Sequence, residues 1–353
     1  MNAKRTPIQD ERPKVLVVAD RCFWAYHDMQ KFIRRHLSGE FDIYTDFAMF
    51  HPSAHPETFM TKVWKWKYLA KSLRYRRVLP RGEPYDLVVL LGFYFQVTSR
   101  MTVRTRHLIK CIHTDSFPPP GIEESDQAIS MAGFLSKYLD GAEALVCGTK
   151  GIADRYRPYF PRVFCATDSW EEQFGRLTPK TKNTGPRFLV GWTGQPRTAF
   201  KGYYDFVVPA VQEAAKLRPG IELKSRFEGP LSTLPRFYDD VDVVLIASVG
   251  DSGPSLFSEA CCCDVPAVSN RSGRPAEIIQ DGVNGLLVER NVTAMRDALV
   301  RLYDDRDLLF SFSQRIRNDL TRVYGVKPMA RAWQDCFEAV LEGPPCRRRD
   351  DGD

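Results

Sequence analysis

Two carboxylates eight residues apart, Asp251 and Glu259, bracket a loop of small and rigid residues, Ser252-Gly253-Pro254-Ser255. The backbone N–H groups of Ser252, Gly253 and Ser255 are expected at the start of a helix. There unpaired donors and the helix dipole favour an anion. Gly253 lets a phosphate approach the backbone, and Pro254, near the first helical position, loses nothing by lacking an N–H. Glu259 falls about one turn into that helix, within reach of the hydroxyls of a ribose whose phosphates rest on the helix end. A second anion-binding arrangement lies upstream. Arg197 and Lys201-Gly202 follow a turn at Thr193-Gly194-Gln195-Pro196 and precede a helix expected from about Tyr204 to Leu217. Cations beside exposed amides suit a diphosphate. The G-K-[ST] order is missing, so this is not a Walker loop.

The elements that must hold these residues follow from the apolar pattern. Val241 to Ala247 reads as a buried strand, Ser255 to Cys263 as a helix, and Ala267-Val268 as the next strand, a βαβ order. Further strands are expected at Lys14–Asp20, Phe41–Phe47, Tyr85–Gly92, Arg106–His113, Ala142–Gly148, Val163–Thr167, Arg187–Trp192 and Glu222–Phe227. Helices are expected at Ala25–Leu37, Ser125–Leu139, Thr293–Asp304, Arg306–Tyr324 and Met329–Leu341, the last after a kink at Lys327-Pro328. Pro230–Tyr238 reads as an aromatic loop. The loop after the first strand carries no G-x-G-x-x-G, which disfavours a dinucleotide-binding oxidoreductase. Phe23 and Trp24 stand there instead, as an aromatic wall for an acceptor or as an apolar staple for the helix. His113 closes its strand at the edge where ligands gather in open α/β sheets, or simply ends it. His51 and His55 lack a third ligand, so no metal site is expected.

The stretch from Asp251 onward resembles glycosyltransferase family 4, retaining enzymes of GT-B fold. Asp251-x7-Glu259 is similar to that family's E-x7-E motif. Residues 266–288, PAVSNRSGRPAEIIQDGVNGLLV, are similar to its downstream P-V-V-x-T-x-x-G-G-x-x-E-x-I-x-x-G-x-x-G-x-L-V. Asp251 replaces the first Glu, Cys261-Cys262-Cys263-Asp264 replaces M-A-C-G, and Arg274 replaces the second Gly of the pair. Gln195 stands where the family's Arg is usual, with Arg197 as its substitute. The resemblance implies two Rossmann-like domains facing a cleft, the C-terminal helix crossing back to the first. It implies that Lys201, Arg197 and the Gly253 loop hold the donor diphosphate and Glu259 the ribose. Asp251 would approach the sugar, and His113 would face it from the other domain. A nucleotide-diphospho-sugar is then a co-substrate and no cofactor is expected. The acceptor is a glycan or a lipid-linked molecule. The alternatives are transfer to modified nucleic-acid bases and a GT-B-like binding module whose catalysis has lapsed.

A length of 353 residues exceeds what one core usually supports. The expected division is a disordered 1–13, a first domain 14–170, a linker 171–186, a nucleotide-sugar domain 187–326, a crossover helix 327–343 and a disordered tail 344–353. Hydrophobic residues at 43% and charged residues at 27% describe a soluble globular chain. The nine Cys form no secretory framework and no metal spacing, and no apolar run approaches 18 residues. The start resembles no signal peptide, so a cytoplasmic protein is expected, with docking at the inner membrane face left open.

That opening comes from residues 61–81, TKVWKWKYLAKSLRYRRVLPR, which hold eight cations and no acid. Lys62, Lys65, Lys67, Arg74, Arg76 and Arg77 interleave with Trp64 and Trp66. At helical spacing Val63, Trp66, Ala70 and Leu73 form an apolar stripe. Three readings stand: a helix lying in an anionic bilayer surface, a nucleic-acid contact, or a solvated helix packed on its own sheet.

Overall fold

The computed structural model describes residues 12–23, 25–51, 70–102, 104–178 and 180–344. Two parallel sheets carry it. The first runs in the order β2-β1-β3-β4-β5-β6, formed by Lys14–Ala19, Asp42–Phe47, Tyr85–Leu90, Thr105–Ile112, Ala144–Cys147 and Val163–Cys165, numbered β1 to β6 along the chain. The second runs β11-β10-β9-β7-β8, formed by Phe188–Thr193 (β7), Ile221–Arg226 (β8), Val243–Ile246 (β9), Ala267–Ser269 (β10) and Leu286–Leu287 (β11). Strands covered on both faces read as unbroken apolar runs, as in VLVVA of β1 and VVLI of β9, all buried.

Each sheet reverses its strand order at one point. In the first, β1 lies between β2 and β3; in the second, β7 lies between β8 and β9. Loops leaving the C-terminal edge diverge at such a point and open a crevice. The loops after β7 and β9 carry Lys201 and Asp251, so topology alone brings the two anion-binding stretches together. The halves also touch. Thr114 and Asp251 form an antiparallel bridge, the Asp115 N–H donates to the Gly250 carbonyl at 3.2 Å, and Ser252 Oγ donates to the His113 carbonyl at 2.5 Å.

The final helix, Val326–Leu341, packs back onto the first sheet's half. Trp333 is fully buried and donates Nε1–H to the Thr167 carbonyl at 3.0 Å. Phe337 meets Phe41 edge-on with ring centroids 5.3 Å apart, and Arg162 donates to the Ala339 carbonyl at 3.0 Å. The expected kink at Lys327-Pro328 is absent. The break falls at Gly325, and Pro328 lies in the helix's first turn, where a missing N–H leaves no bond unmade.

Other local expectations shift. Residues 306–324 form two helices, Arg306–Ser313 and Ile316–Tyr324. Only Met131–Tyr138 of 125–139 is α-helical, capped by Ser130. Residues 230–238 are not a loop: a turn at Leu231–Thr233 leads into the helix Leu234–Asp239. No disulfide joins any of the described cysteines.

The basic stretch departs most. Its described part is helical only at 70–73, and Leu73 is exposed, so no apolar stripe reaches the sheet there. Arg77 pairs its backbone with Thr45 and its guanidinium with Asp42 at 2.8 Å. Arg76 pairs with Asp46 at 2.8 Å. Neither is a free cation for a polyanion; Arg74 is exposed. Lys62, Trp64, Lys65, Trp66, Lys67 and His55 lie outside the described residues. Within those residues no helix is long and apolar enough to cross a membrane.

Candidate functional site

A cavity of about 200 Å³ opens at the C-terminal edge of the second sheet. Thr193 closes β7, Arg226 closes β8, and the helix Ser255–Cys262 contributes Ser255 and Leu256 from its first turn and Glu259 from its second. Lys201 reaches in from the turn Ala199–Lys201. Two cations and two helix-start residues thus surround Glu259, and Glu228 lies on the same lining.

Glu259 is almost fully buried. Its Oε2 accepts from the Tyr238 hydroxyl at 2.7 Å and from Thr193 Oγ1 at 3.4 Å. The helix Leu234–Asp239 exists at this point to deliver Tyr238. Burial pushes the Glu259 pKa upward. The Tyr238 and Thr193 hydroxyls and the charges of Lys201 and Arg226 oppose that. No described residue bonds its Oε1, and the residue lines the cavity.

Arg226, which sequence reasoning passed over, braces one rim. Its Nε donates to the Glu228 carbonyl at 3.1 Å, and its Nη2 to the Pro230 carbonyl at 2.8 Å and to Thr233 Oγ1 at 2.6 Å. The signal was its place as the last residue of a strand at the ligand edge. Arg197, by contrast, is exposed and lies outside the cavity lining, so its expected diphosphate role is not supported by position.

The Asp251 loop sits beside this cavity on different terms from those expected. Asp251 Oδ1 accepts the Gly253 N–H at 3.1 Å, so that amide is already spent and is not offered to a phosphate. Ser252 spends its hydroxyl on His113 across the cleft. Pro254 precedes the helix as its cap residue. Gly253 is required for a reason the sequence did not show: a Cβ there would meet Arg274 Nε at 2.6 Å. Burial raises the Asp251 pKa, and Lys201 is the strongest opposing charge.

Arg274 is the second residue that sequence reasoning missed. It is buried beneath the loop, donating Nη1 to Ser258 Oγ at 3.1 Å and Nη2 to Thr167 Oγ1 at 2.8 Å. Its Nη2 is 3.9 Å from Asp168. One side chain therefore joins the second half's loop and helix to the end of the first sheet. No local pattern marks it, because the family expectation at that position is glycine.

The preceding Gly273 has φ +52 and lies against the Asp251 and Ser252 carbonyls, where a Cβ would collide. Gly273→Ala is expected to cost about 1–3 kcal/mol and to loosen the Asp251 loop. A denaturation midpoint read alongside nucleotide affinity checks both effects.

His113 stands at the end of β4, against Tyr26 with ring centroids 5.6 Å apart. Burial, with Arg274 as a lesser cause, pushes its pKa down to about 3, so the ring is neutral. Its Nε2 is shielded and has no partner among the described residues. Phe23 is exposed at φ +60, with its ring edge-on to His27 and Tyr75; none of these lines the cavity. Trp24 lies outside the described residues. His27 accepts the Phe23 N–H on Nδ1 at 3.0 Å, and burial lowers its pKa to about 4. A histidine whose folded pKa is depressed costs stability as pH falls from its unfolded value of 6.5 toward the folded one. The Tm gap between wild type and His27→Asn, which keeps an acceptor but no titrating ring, should therefore narrow between pH 7 and pH 5 (assay settings, about two units apart). A gap that stays constant would contradict it.

Within the described residues no group of three His, Cys, Asp or Glu is placed to hold a metal.

Residues 194–305 match the family model described as Glycosyl transferases group 1. The chain is 25% identical over 225 residues to an exopolysaccharide phosphotransferase of Streptomyces coelicolor, covering 52% of this chain and 23% of that protein. It is 28% identical over 145 residues to a D-inositol 3-phosphate glycosyltransferase of an Arthrobacter species, covering 41% and 32%. The matched stretch is thus a third or less of these relatives' length. Among solved structures, Anabaena HepE in complex with UDP and glucose superposes with a TM-score of 0.61 at 11% identity, covering 93% of this chain and 100% of that one. Sucrose-phosphate synthase of Thermosynechococcus elongatus gives 0.64 at 11% identity, covering 94% and 99%. The chain therefore has the GT-B fold, and its residues 194–305 are similar to the glycosyl transferases group 1 family.

Proposed function

We propose that this chain is a retaining glycosyltransferase, moving a sugar from a nucleotide-diphospho-sugar to a glycan or lipid-linked acceptor. The observation that carries the reading is the cavity in which Lys201, Arg226 and the helix-start residues Ser255 and Leu256 surround Glu259. A nucleoside diphosphate has the matching parts. Its phosphates meet the cations and the helix start, and its ribose diol donates to the free Oε1 of Glu259. Anabaena HepE, of the same fold, is described in complex with UDP-glucose.

In the transfer the bond from the anomeric carbon to the diphosphate oxygen breaks, its electron pair leaving with the phosphate. Lys201 stabilises that developing charge, and no resident metal or other cofactor is invoked. The acceptor oxygen bonds to the anomeric carbon, and its proton passes to the departing phosphate oxygen. Neutral His113 faces the sugar side from the first half, with its Nε2 shielded behind the loops, and Asp251 approaches the sugar from the second. The touching loops 113–115 and 250–252 keep water from competing as acceptor.

The test is incubation with UDP-glucose and GDP-mannose, measuring nucleoside diphosphate release and the anomeric configuration of the product by NMR. Release from one donor with the configuration kept is the expected result. Release from neither, with or without an added glycan, would overturn the reading.

A further inference from the structure

A second cavity, of about 380 Å³, lies on the other side of the Asp251 loop. The first half supplies Asp115, Lys150 and Asp154; the second supplies Arg271, Gly273 and Glu277. It borders the loop directly, because Asp115 bonds the Gly250 carbonyl and Gly273 lies against the Asp251 and Ser252 carbonyls. A molecule seated there would reach the sugar end of a donor held in the first cavity, and the volume exceeds the donor cavity's about 200 Å³.

The charges lining it are unequal in their partners. Each carboxylate is satisfied within the chain. Asp115 is held by Arg155 at 2.9 Å, Asp154 by Arg157, and Glu277 by the Tyr324 hydroxyl at 2.5 Å and the Gly151 N–H at 3.2 Å. The two cations are not. Lys150 and Arg271 are exposed, one on each half, and neither side chain bonds any described residue. Asp115 and Asp154 are offset by Arg155 and Arg157, so the charges that remain are Lys150 and Arg271, one on each wall, against the single carboxylate of Glu277, whose partners are neutral; the excess is positive.

We infer that this cavity is the acceptor subsite and that it takes an acceptor bearing an anionic group, a phosphate or a carboxylate, held between Lys150 and Arg271. The inference rests on the transferase reading above and names the acceptor's chemical class. It also gives the anion a structural consequence: bridging one cation from each half, it draws the cleft together over the donor.

The test uses the full chain saturated with the nucleoside diphosphate it binds. Glucose, glucose 6-phosphate and glucuronate are titrated calorimetrically as probes. The expected result is binding of a charged sugar at least tenfold tighter than glucose. Whichever of the phosphate and the carboxylate binds tighter identifies the source of the charge. Lys150→Ala/Arg271→Ala, two exposed positions, should lose about tenfold or more of that affinity while nucleotide affinity stays within about twofold. Equal binding of neutral and charged sugars, binding of none, or full affinity in the double variant would overturn the inference. Failure of the wild type to bind any nucleoside diphosphate is a separate outcome: it removes the transferase reading and this one with it.

Discussion

Lys201→Ala should lower the transfer rate by about 10²- to 10³-fold, the loss usual when one preorganised donor to a developing oxyanion is removed. The size of the effect follows from position. Lys201 lines the cavity proposed for the donor and is the strongest charge opposing the burial-driven rise in the Asp251 pKa, which puts one cation between that cavity and the Asp251 loop. Its side chain is only partly buried, so the fold should survive the change. Steady-state kinetics separates the outcomes: kcat should fall by more than the donor KM rises, because charge on the leaving oxygen is greatest in the transition state. Arg197→Ala is the matched control. That residue is exposed and outside the cavity, and its replacement should leave kcat within about twofold. A large effect at Arg197 with none at Lys201 would show that the diphosphate lies elsewhere.

Arg274→Met should be the costliest single change to stability, about 3–5 kcal/mol, because it strands a buried acid. Methionine keeps much of the volume and removes the charge. Asp168 would lose its nearest cation, Thr167 Oγ1 and Ser258 Oγ would lose their donors, and the loop at Gly253 would lose the side chain beneath it. The pH dependence has a definite sign. Burial already holds the Asp168 pKa above its ordinary 3.8, and Arg274 is the largest influence opposing that rise. Without Arg274 the folded pKa climbs further. A carboxyl with a raised folded pKa contributes most in acid, and that contribution is lost as pH rises through the folded value. The variant's deficit should therefore be full at neutral pH and shrink as the medium is acidified. His113 acts in the same direction, since Arg274 helps to keep its pKa low. Urea midpoints of both proteins across the acid range measure this, and a deficit that grew in acid would contradict it.

What the sequence disclosed and what it hid divide along a physical line. Buried parallel strands are continuous apolar runs, so β1, β3, β7 and β9 could be placed to within a few residues. Lys201 and Glu259 could be placed because each lies a short, fixed distance from a strand end or helix start. Arg274 could not. Its partners Thr167 and Ser258 are 107 and 16 residues away, and only the tertiary fold brings them together. The Gly253 amide was misassigned for a related reason. Whether a loop N–H is free depends on the rotamer of Asp251 two residues before it, which spacing does not encode. Arg76 and Arg77 looked like surface charge because their partners, Asp46 and Asp42, lie in a separate strand.

The account depends on a nucleoside diphosphate occupying the cavity between Lys201, Arg226 and Glu259. Calorimetric titration of the wild-type chain and of Glu259→Gln with UDP and GDP tests this most directly. Saturable one-to-one binding of one of them, weakened at least tenfold in the variant, is the predicted result. Heat from neither nucleotide, or equal affinity in both proteins, would contradict it.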